Sequence, residues 1–487
     1  MSQSPPAALV WLRHDLRLHD HEPLVRAAAW AAEYGGRVVP VWCDDPRAQA
    51  PAPLSGRPPR LGPHRARFLA ESLADLRASL RAVGADLVVR RGRPDEVLPA
   101  LARETGAGLC AYHAECCPEE AADEAAVERA LAPLEVACEG YWGHTLLHRD
   151  DLPFGPDDLP ATFTEFRTRV DDGAGRGFRD GCAPRMLLPA PTRLPAVGVE
   201  PGALPTPATW GHAPAPRDPR ARLTLGVGER AALARLEGWV FAMDRLARYK
   251  ATRNGLTDPD DSSKLSPWLA HGCLSPRAVY GAVRSYEARR GATEQTHWLV
   301  FELLWRDYFR LAAARAGAAL FRPDGPARVP VRWRRLDDPR HGAPARADFA
   351  RWCAGETGFP LVDAAMRELR ATGFTSNRTR QNVASFLTKN LGVDWRAGAW
   401  WFEAQLVDYD PASNWGNWAY AAGVGQDPRG FRYFDVDRQA AQYDPDGAYA
   451  RQWLARDDFG RPRMVDLRES ARANERRWAA AARGVLR

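Results

Sequence analysis

Strand-like runs occur only in the first third of this chain, and that asymmetry limits the fold more than any other feature. Four short apolar runs, Ala8–Leu12, Val38–Trp42, Leu87–Val89 and Leu109–Tyr112, alternate with Ala- and Leu-rich helical stretches such as Ala66–Val83. Strands alternating with helices predict a parallel, doubly wound sheet. From Gly228 onward the strand pattern disappears and apolar residues recur at helical spacing. A chain of 487 residues exceeds one ordinary core. The expectation is therefore an α/β plus all-α protein. It has a doubly wound parallel-sheet domain at 1–140, a long connector at 141–226 and a helical domain at 227–487. Ligands on such sheets sit at the carboxyl ends of the strands. No GxGxxG and no P-loop lysine motif is present, so a phosphate loop argues for neither NAD nor ATP.

The connector is rich in Pro, Gly, Asp and Arg and longer than most ordered loops. Leu152, Phe154, Leu159, Phe163 and Phe166 can pack, so part of it should be ordered; Pro189–Arg222 is the most loop-like piece. In the helical domain, Glu229–Tyr249 reads as one long helix. The run Asp261, Ser262, Ser263, Lys264, Leu265, Ser266, Pro267 reads as a helix N-terminus, serving as a plain N-cap or as an anion site. Phe301–Arg310 places Glu302, Trp305, Arg306 and Phe309 on one helical face. Pro360–Arg370 carries an apolar stripe at Val362, Ala365, Met366 and Leu369, closed by Gly373.

The chemistry concentrates between Thr375 and Asp444. Val383, Phe386, Leu387 and Leu391 share one helical face, with Gly392 as a stop. Trp395, Ala399, Phe402 and Leu406 form a second stripe, which ends at Asp408, Tyr409, Asp410 and Pro411, since Pro411 cannot continue a helix. A loop is expected to carry Asn414, Trp415, Gly416, Asn417 and Trp418. A Trp-rich helical core would account for Trp400 or Trp401 alone. It does not account for two carboxylates, two amides and two indoles together, because buried Asp and Asn need partners. Such a set suits a flat, hydrogen-bonding ligand.

The formal net charge is +6, a mild basic bias compatible with nucleic acid. None of the eight cysteines forms a CxxC pair, which leaves a zinc or iron–sulfur site without support. His144 and His148 share a helical spacing without a third ligand, so no metal is expected. The short polar start Met1–Pro6 is not a signal sequence, and no apolar run approaches membrane-spanning length. A cytoplasmic monomer is the expectation.

Long motifs now converge. WLRHDLRLHDHEPL near the start, DLPFGPDDLPATFTEFR, SSKLSPWLAHGCLSPR, FELLWRDYFR, GETGFPLVDAAMREL and DYDPASNWGNWAYAAGVGQDPR resemble the photolyase/cryptochrome family over nearly the whole chain. The last is most similar to the cryptochrome DASH branch. The resemblance implies an antenna domain, a connector wrapped over it and a helical FAD-binding domain. It implies FAD contacts at Tyr249, Ser262, Ser263, Lys264, Leu265, Ser266, Arg380, Asp408, Asp410 and Asn414, with Arg380 pairing Asp408 and Asn414 facing flavin N5. Glu302 and Trp305 match the acid and the indole that face the lesion, Asn377 matches a residue near both flavin and substrate, and Asn414 is counted with these three as catalytic. Arg253, Arg378, Gln381, Tyr420 and Gln439 match DNA- or lesion-binding positions. Trp418, Trp395 and Trp333 match an electron chain. Glu115 matches a contact to a methenyltetrahydrofolate antenna; its other reading is a cap for the next helix.

The function implied is light-driven repair of cyclobutane pyrimidine dimers, preferably in single-stranded DNA. An excited reduced flavin donates an electron, the ring splits and the electron returns. Gln381 and Tyr420 stand where double-strand photolyases carry Met and Trp, which implies weaker hold on a flipped dimer. The alternative is a blue-light photoreceptor acting through a signalling partner. The short tail after Asp444 and the repair-type Asn414 lean against it.

Overall fold

In the computed structural model, residues 5–50, 59–172, 177–179, 181–213, 217–427 and 429–483 are described. Five strands, β1 (Ala7–Leu12), β2 (Arg37–Asp44), β3 (Val88–Arg91), β4 (Ala107–His113) and β5 (Ala137–Tyr141), form one all-parallel sheet in the order β3-β2-β1-β4-β5. Every residue of β1 is buried, as a central parallel strand covered on both faces requires. Helices α1 (Glu22–Tyr34), α2 (Pro63–Ala82), α3 (Pro94–Thr105) and α4 (Pro118–Leu131) supply that cover, each with Pro in its first turn, where the missing N–H costs nothing. The four expected strands are all present. The fifth, ACEGY, escaped the apolar pattern because it is a half-exposed edge. The strand order reverses between β1 and β4, and past their carboxyl ends lie Arg13, His14, His113 and Glu115.

The connector straps the sheet domain. Leu194 N donates to Val83 O, Val89 N to Pro201 O, and Trp210 Nε1 to Asp44 Oδ1. Its own helix, α5 (Phe163–Val170), buries Phe163 and Phe166 against Tyr308 of the helical domain.

The helical domain runs through α6 (Gly228–Glu237), α7 (Tyr249–Thr252), α8 (Ser266–Ala270), α9 (Pro276–Arg290), α10 (Glu294–Ala316), α11 (Gly342–Ala354), α12 (Pro360–Thr372), α13 (Asn377–Ser385), α14 (Trp395–Gln405) and α15 (Pro411–Ala422). It closes with α16 (Val436–Tyr443), α17 (Ala448–Trp453) and α18 (Leu467–Ala482). Among the described residues no helix is long and apolar enough to cross a membrane.

Three expectations are corrected here. Glu229–Tyr249 is not one helix: after a π turn at Gly238–Ala242, Asp244 adopts φ 51° and breaks the axis. Asp tolerates that left-handed backbone better than most residues, and its carboxylate accepts from Tyr286 Oη at 2.5 Å and Arg290 Nη1 at 2.9 Å. The stripe Val383–Leu391 spans two turn types, because α13 passes into a π turn at Phe386–Asn390; its four apolar residues are all buried. Asn414–Trp418 form no loop. The preceding helix has already stopped at Gln405, and Pro411 does not end it but opens α15, where its fixed φ is pre-set for helix; Asp410 is the N-cap, accepting from Ser413 N at 2.7 Å.

Candidate active site

Asp408 and Asp410 lie just before the start of α15 and are both buried. Asp408 Oδ2 accepts from Arg380 Nη2 at 2.9 Å and from Ser266 Oγ at 2.6 Å, while Oδ1 is buried with no protein partner. Arg380 is aimed by a second bond, Nε to Thr375 O at 2.9 Å. Asn414, one turn into α15, donates from Nδ2 to Ala399 O at 3.0 Å, which fixes its amide. The expected pairing of Arg380 with Asp408 is therefore present.

The serine run works differently from expectation. Helix α8 begins at Ser266 and has only five residues, Leu265 occupies the cap, and no side chain caps it. Ser266 is committed to Asp408 instead. Lys264 sits at φ 55°, and burial holds its ammonium below the ordinary lysine range. The hydroxyls of Ser262 and Ser263 lie beside the phenol of Tyr249 and work to lower it, against the burial that holds it above the ordinary range.

A second group gathers on α10. Trp305 meets Tyr420 edge to face at 5.8 Å, and its ring stacks on Phe163 at 3.7 Å. The approach of α15 to α10 depends on Gly416, where an added Cβ would lie 2.4 Å from Phe309. Glu302 accepts from Trp298 Nε1 at 3.0 Å and pairs with Arg253 Nη1 at 2.8 Å. The expected DNA contact Arg253 is thus the direct counter-ion of the expected lesion residue. Arg378 donates to Gln381 Oε1 at 2.9 Å and Asn254 Oδ1 at 3.1 Å, Gln439 Oε1 accepts from Asn382 Nδ2 at 3.4 Å, and Asn377 is exposed.

The sequence model of the DNA photolyase domain matches residues 8–184, and that of the FAD binding domain of DNA photolyase matches 298–477. A cryptochrome DASH of Gloeobacter violaceus is 50% identical over 452 residues, covering 93% of this chain and 86% of that protein. One from Xenopus laevis is 44% identical, over 91% of this chain and 81% of that one. The solved cryptochrome of Synechocystis sp. superposes with a TM-score of 0.89 at 42% identity, over 98% of this chain and all of that one. A bacterial class III photolyase from Agrobacterium tumefaciens gives 0.79 at 28% identity, over 99% of both chains. The chain belongs to the photolyase/cryptochrome family, among the cryptochromes DASH.

Within this cryptochrome DASH fold, two of the three indoles expected to form an electron chain converge. Trp395 Nε1 and Trp333 Nε1 donate to the same carbonyl, Pro323 O, at 3.1 and 3.0 Å. The longer segment after Trp333 does not pull it away, because Arg334 is bridged to Val393 and its N–H reaches Gly392 O. Trp418 is packed among Phe402 at 5.1 Å and Trp352 at 6.2 Å. Trp352 was not singled out by sequence, since nothing in its helix distinguishes it from core.

The helix-cap reading of Glu115 is corrected. Glu115 does not cap α4, whose N-cap is Cys117 with no side-chain bond. It is buried and ion-paired to Arg310 Nη2 at 2.5 Å, and Arg310 Nη1 reaches Asp410 Oδ2 at 2.6 Å. His14 Nδ1 and His144 Nε2 lie 3.0 and 3.4 Å from its other oxygen. Burial works to raise the Glu115 carboxyl, but His144, Arg310 and His14 hold it well below the usual range. Arg310 thereby ties the end of β4 to the cap of α15, a link no local pattern reveals.

A cavity of about 250 Å³ lies beside this bridge, lined by Trp11, His14, Trp42, Glu120, Trp210 and Tyr409 among others. Among the acids that line it, Glu120 stands apart: burial, then the charge of Glu115, raise its carboxyl to about 7. Nearby, Asp15 Oδ2 lies 3.0 Å from His21 Nε2 and 2.9 Å from His113 Nδ1, all three buried.

Proposed function

We propose that this protein uses FAD and blue or near-UV light to reverse cyclobutane pyrimidine dimers, preferably in single-stranded DNA. The observation that carries the reading is the Arg380–Asp408–Ser266 set beside Asn414, with Asp408 Oδ1 left as a buried, unpartnered acceptor. An unsatisfied buried acceptor costs about 1–3 kcal/mol, and an N–H or hydroxyl of FAD would remove that cost. The cation of Lys264 and the hydroxyls of Ser262 and Ser263 suit the pyrophosphate, whose charge would offset the burial of Lys264. Bound FAD supplies the light-excited electron that opens the cyclobutane ring.

The chain's residues supply the rest. A dimer inside a duplex must be flipped out, at a cost of a few kcal/mol that is least in a single strand. Trp305 and Tyr420 offer π-surface to the extruded bases. Asn414 is held rigid by Ala399 O, so its amide reorganises little as charge moves. Glu302 faces the dimer and stabilises the charge that develops on it. Gln381 and Tyr420 give a modest hold, which favours single strands. The cavity suits a folate antenna, with Glu120 rather than Glu115 as the acid that meets the pterin.

The test is light-dependent repair of one dimer in single-stranded, bubbled and fully paired DNA at fixed salt, since salt alone shifts affinity. The expected order is single-stranded, then bubbled, well ahead of paired. No repair of any form by FAD-loaded protein would leave the photoreceptor reading; equal rates on all three would remove the single-strand preference alone.

A further inference from the structure

Two cysteines face each other at the edge of the sheet. Cys110 of β4 and Cys138 of β5 are register partners in neighbouring parallel strands. Paired residues project to the same face of a sheet, from strands about 4.8 Å apart. The next pair along this face is Tyr112 and Gly140, and a Cβ added to Gly140 would lie 3.1 Å from the Tyr112 ring. Side chains at paired positions therefore meet here. The two sulfurs differ in access. Seven of the eight cysteines are buried, Cys110 completely, whereas Cys138 is half-buried, with its Sγ 3.9 Å from Val136 O. The adjacent Cys138 sulfur, and then burial, hold the Cys110 thiol well above its ordinary range. The adjacent Cys110 sulfur holds Cys138 below its own, against burial and the charge of Glu128. The accessible sulfur is thus the readier thiolate, and the thiolate is the form that reacts.

We propose that this pair is a reversible oxidation site: a hydroperoxide oxidises Cys138 to a sulfenic acid, and Cys110 closes on it to form a disulfide between β4 and β5. The site is independent of the repair reading. In the first step the Cys138 thiolate attacks the peroxide. An S–O bond forms, the O–O bond breaks, and the hydroxide that leaves takes up the proton Cys138 gave up. In the second, the Cys110 sulfur attacks the Cys138 sulfur. The S–S bond forms, the S–O bond breaks, and the Cys110 proton leaves with hydroxide as water. Two thiols lose two electrons, and one hydrogen peroxide becomes two waters. The Cα atoms of bridged cysteines stand about 4.4–6.8 Å apart, so the strand spacing falls inside that window, near its short end. A bridge close to that limit and half open to solvent is of the kind that reducing thiols break readily. It would fasten the edge strand that runs on to Leu146 and Leu147, whose N–H groups donate to Asp307 of α10 at 3.0 and 2.8 Å. The bridge therefore stiffens the sheet beside the joint of the two domains.

The experiment treats the full-length protein with hydrogen peroxide near pH 7.5, quenches it in acid and unfolds it with an alkylating agent present. The count of free thiols should fall by two from the eight of the reduced chain. Mass mapping of tryptic peptides should join the peptide of Cys110 to that of Cys138, and excess glutathione should restore every thiol. The Cys110 peptide also carries Cys116 and Cys117, so variants fix the partner. Cys110→Ala should stop at a sulfenic acid on Cys138, which dimedone labels. Cys138→Ser, a change at a half-exposed edge that leaves the core intact, should keep all its remaining thiols through the same treatment. A wild type that keeps all its thiols, a bridge that persists in Cys110→Ala, or passage of Cys138 to a sulfinic acid with no bridge overturns the proposal.

Discussion

Replacing Arg310 by Met tests the reading of the two-domain bridge. The side chain of Arg310 is 3% exposed, and Met keeps most of its volume while removing the cation that contacts both Glu115 and Asp410. Breaking a buried ion pair from one side costs about 3–5 kcal/mol, because the remaining charge is left uncompensated. Here two carboxylates are left, but each keeps some support. His14 lies beside Glu115, which holds its imidazole above the ordinary range, and Asp410 still caps α15 through Ser413 N. The expected loss is therefore at the lower end, about 3 kcal/mol at pH 7.5.

The pH dependence gives the sharper check. Both carboxyls are held below their ordinary values in the native wild type, despite their burial. They therefore contribute stability above the unfolded pKa of about 4.3 for Glu and 3.9 for Asp, and lose it as pH falls through the native values. Without Arg310, burial raises both above the unfolded values, so the variant gains stability as pH falls while the wild type does not. Urea unfolding at pH 7.5 and 5.5 should show the deficit shrink by at least about 1 kcal/mol, the worth of roughly one pK unit. A deficit below 1 kcal/mol at pH 7.5, or one that does not change between the two pH values, would refute the reasoning.

Trp418→Phe should abolish photoreduction of oxidised flavin, and Trp395→Phe and Trp333→Phe should each slow it at least tenfold, read by flavin absorption under blue light; normal rates in all three would mean that electrons enter elsewhere. Arg380→Leu should lower the flavin-to-protein absorbance ratio severalfold, because Asp408 loses its cation, and an unchanged ratio would detach this pair from the cofactor site. Glu120→Ala should lose folate supplied in excess while keeping FAD, whereas folate retained in full would place the antenna acid elsewhere. Lys389, buried against Ala422 O at 2.7 Å, is lowered by burial to about 7. The unfolded chain thus binds more protons between that value and about 10.4, so stability should rise with pH there. Lys389→Met should flatten that rise in urea midpoints from pH 7 to 9.5; a slope as steep as that of the wild type would locate the titrating group elsewhere.

Local rules were enough wherever one periodicity or one cap decided the outcome. The parallel sheet follows from apolar runs separated by helical stretches, and β5 was missed because an edge strand such as ACEGY need not be apolar. The residues of the candidate site could be named from motifs, since Arg380, Asp408, Asp410 and Asn414 lie within one contiguous stretch. Their commitments could not be named. Arg253 with Glu302, Arg310 with Glu115 and Asp410, and Ser266 with Asp408 are contacts across 49, 195, 100 and 142 positions of chain. A charge in a low-dielectric interior takes whichever partner the packed helices bring within about 3 Å, and sequence spacing carries no record of that distance. For the same reason Glu115 is spent on an ion pair while Glu120 is left to line the cavity: both follow β4, and only the docking of the helical domain, which brings Arg310, decides which of them is spent.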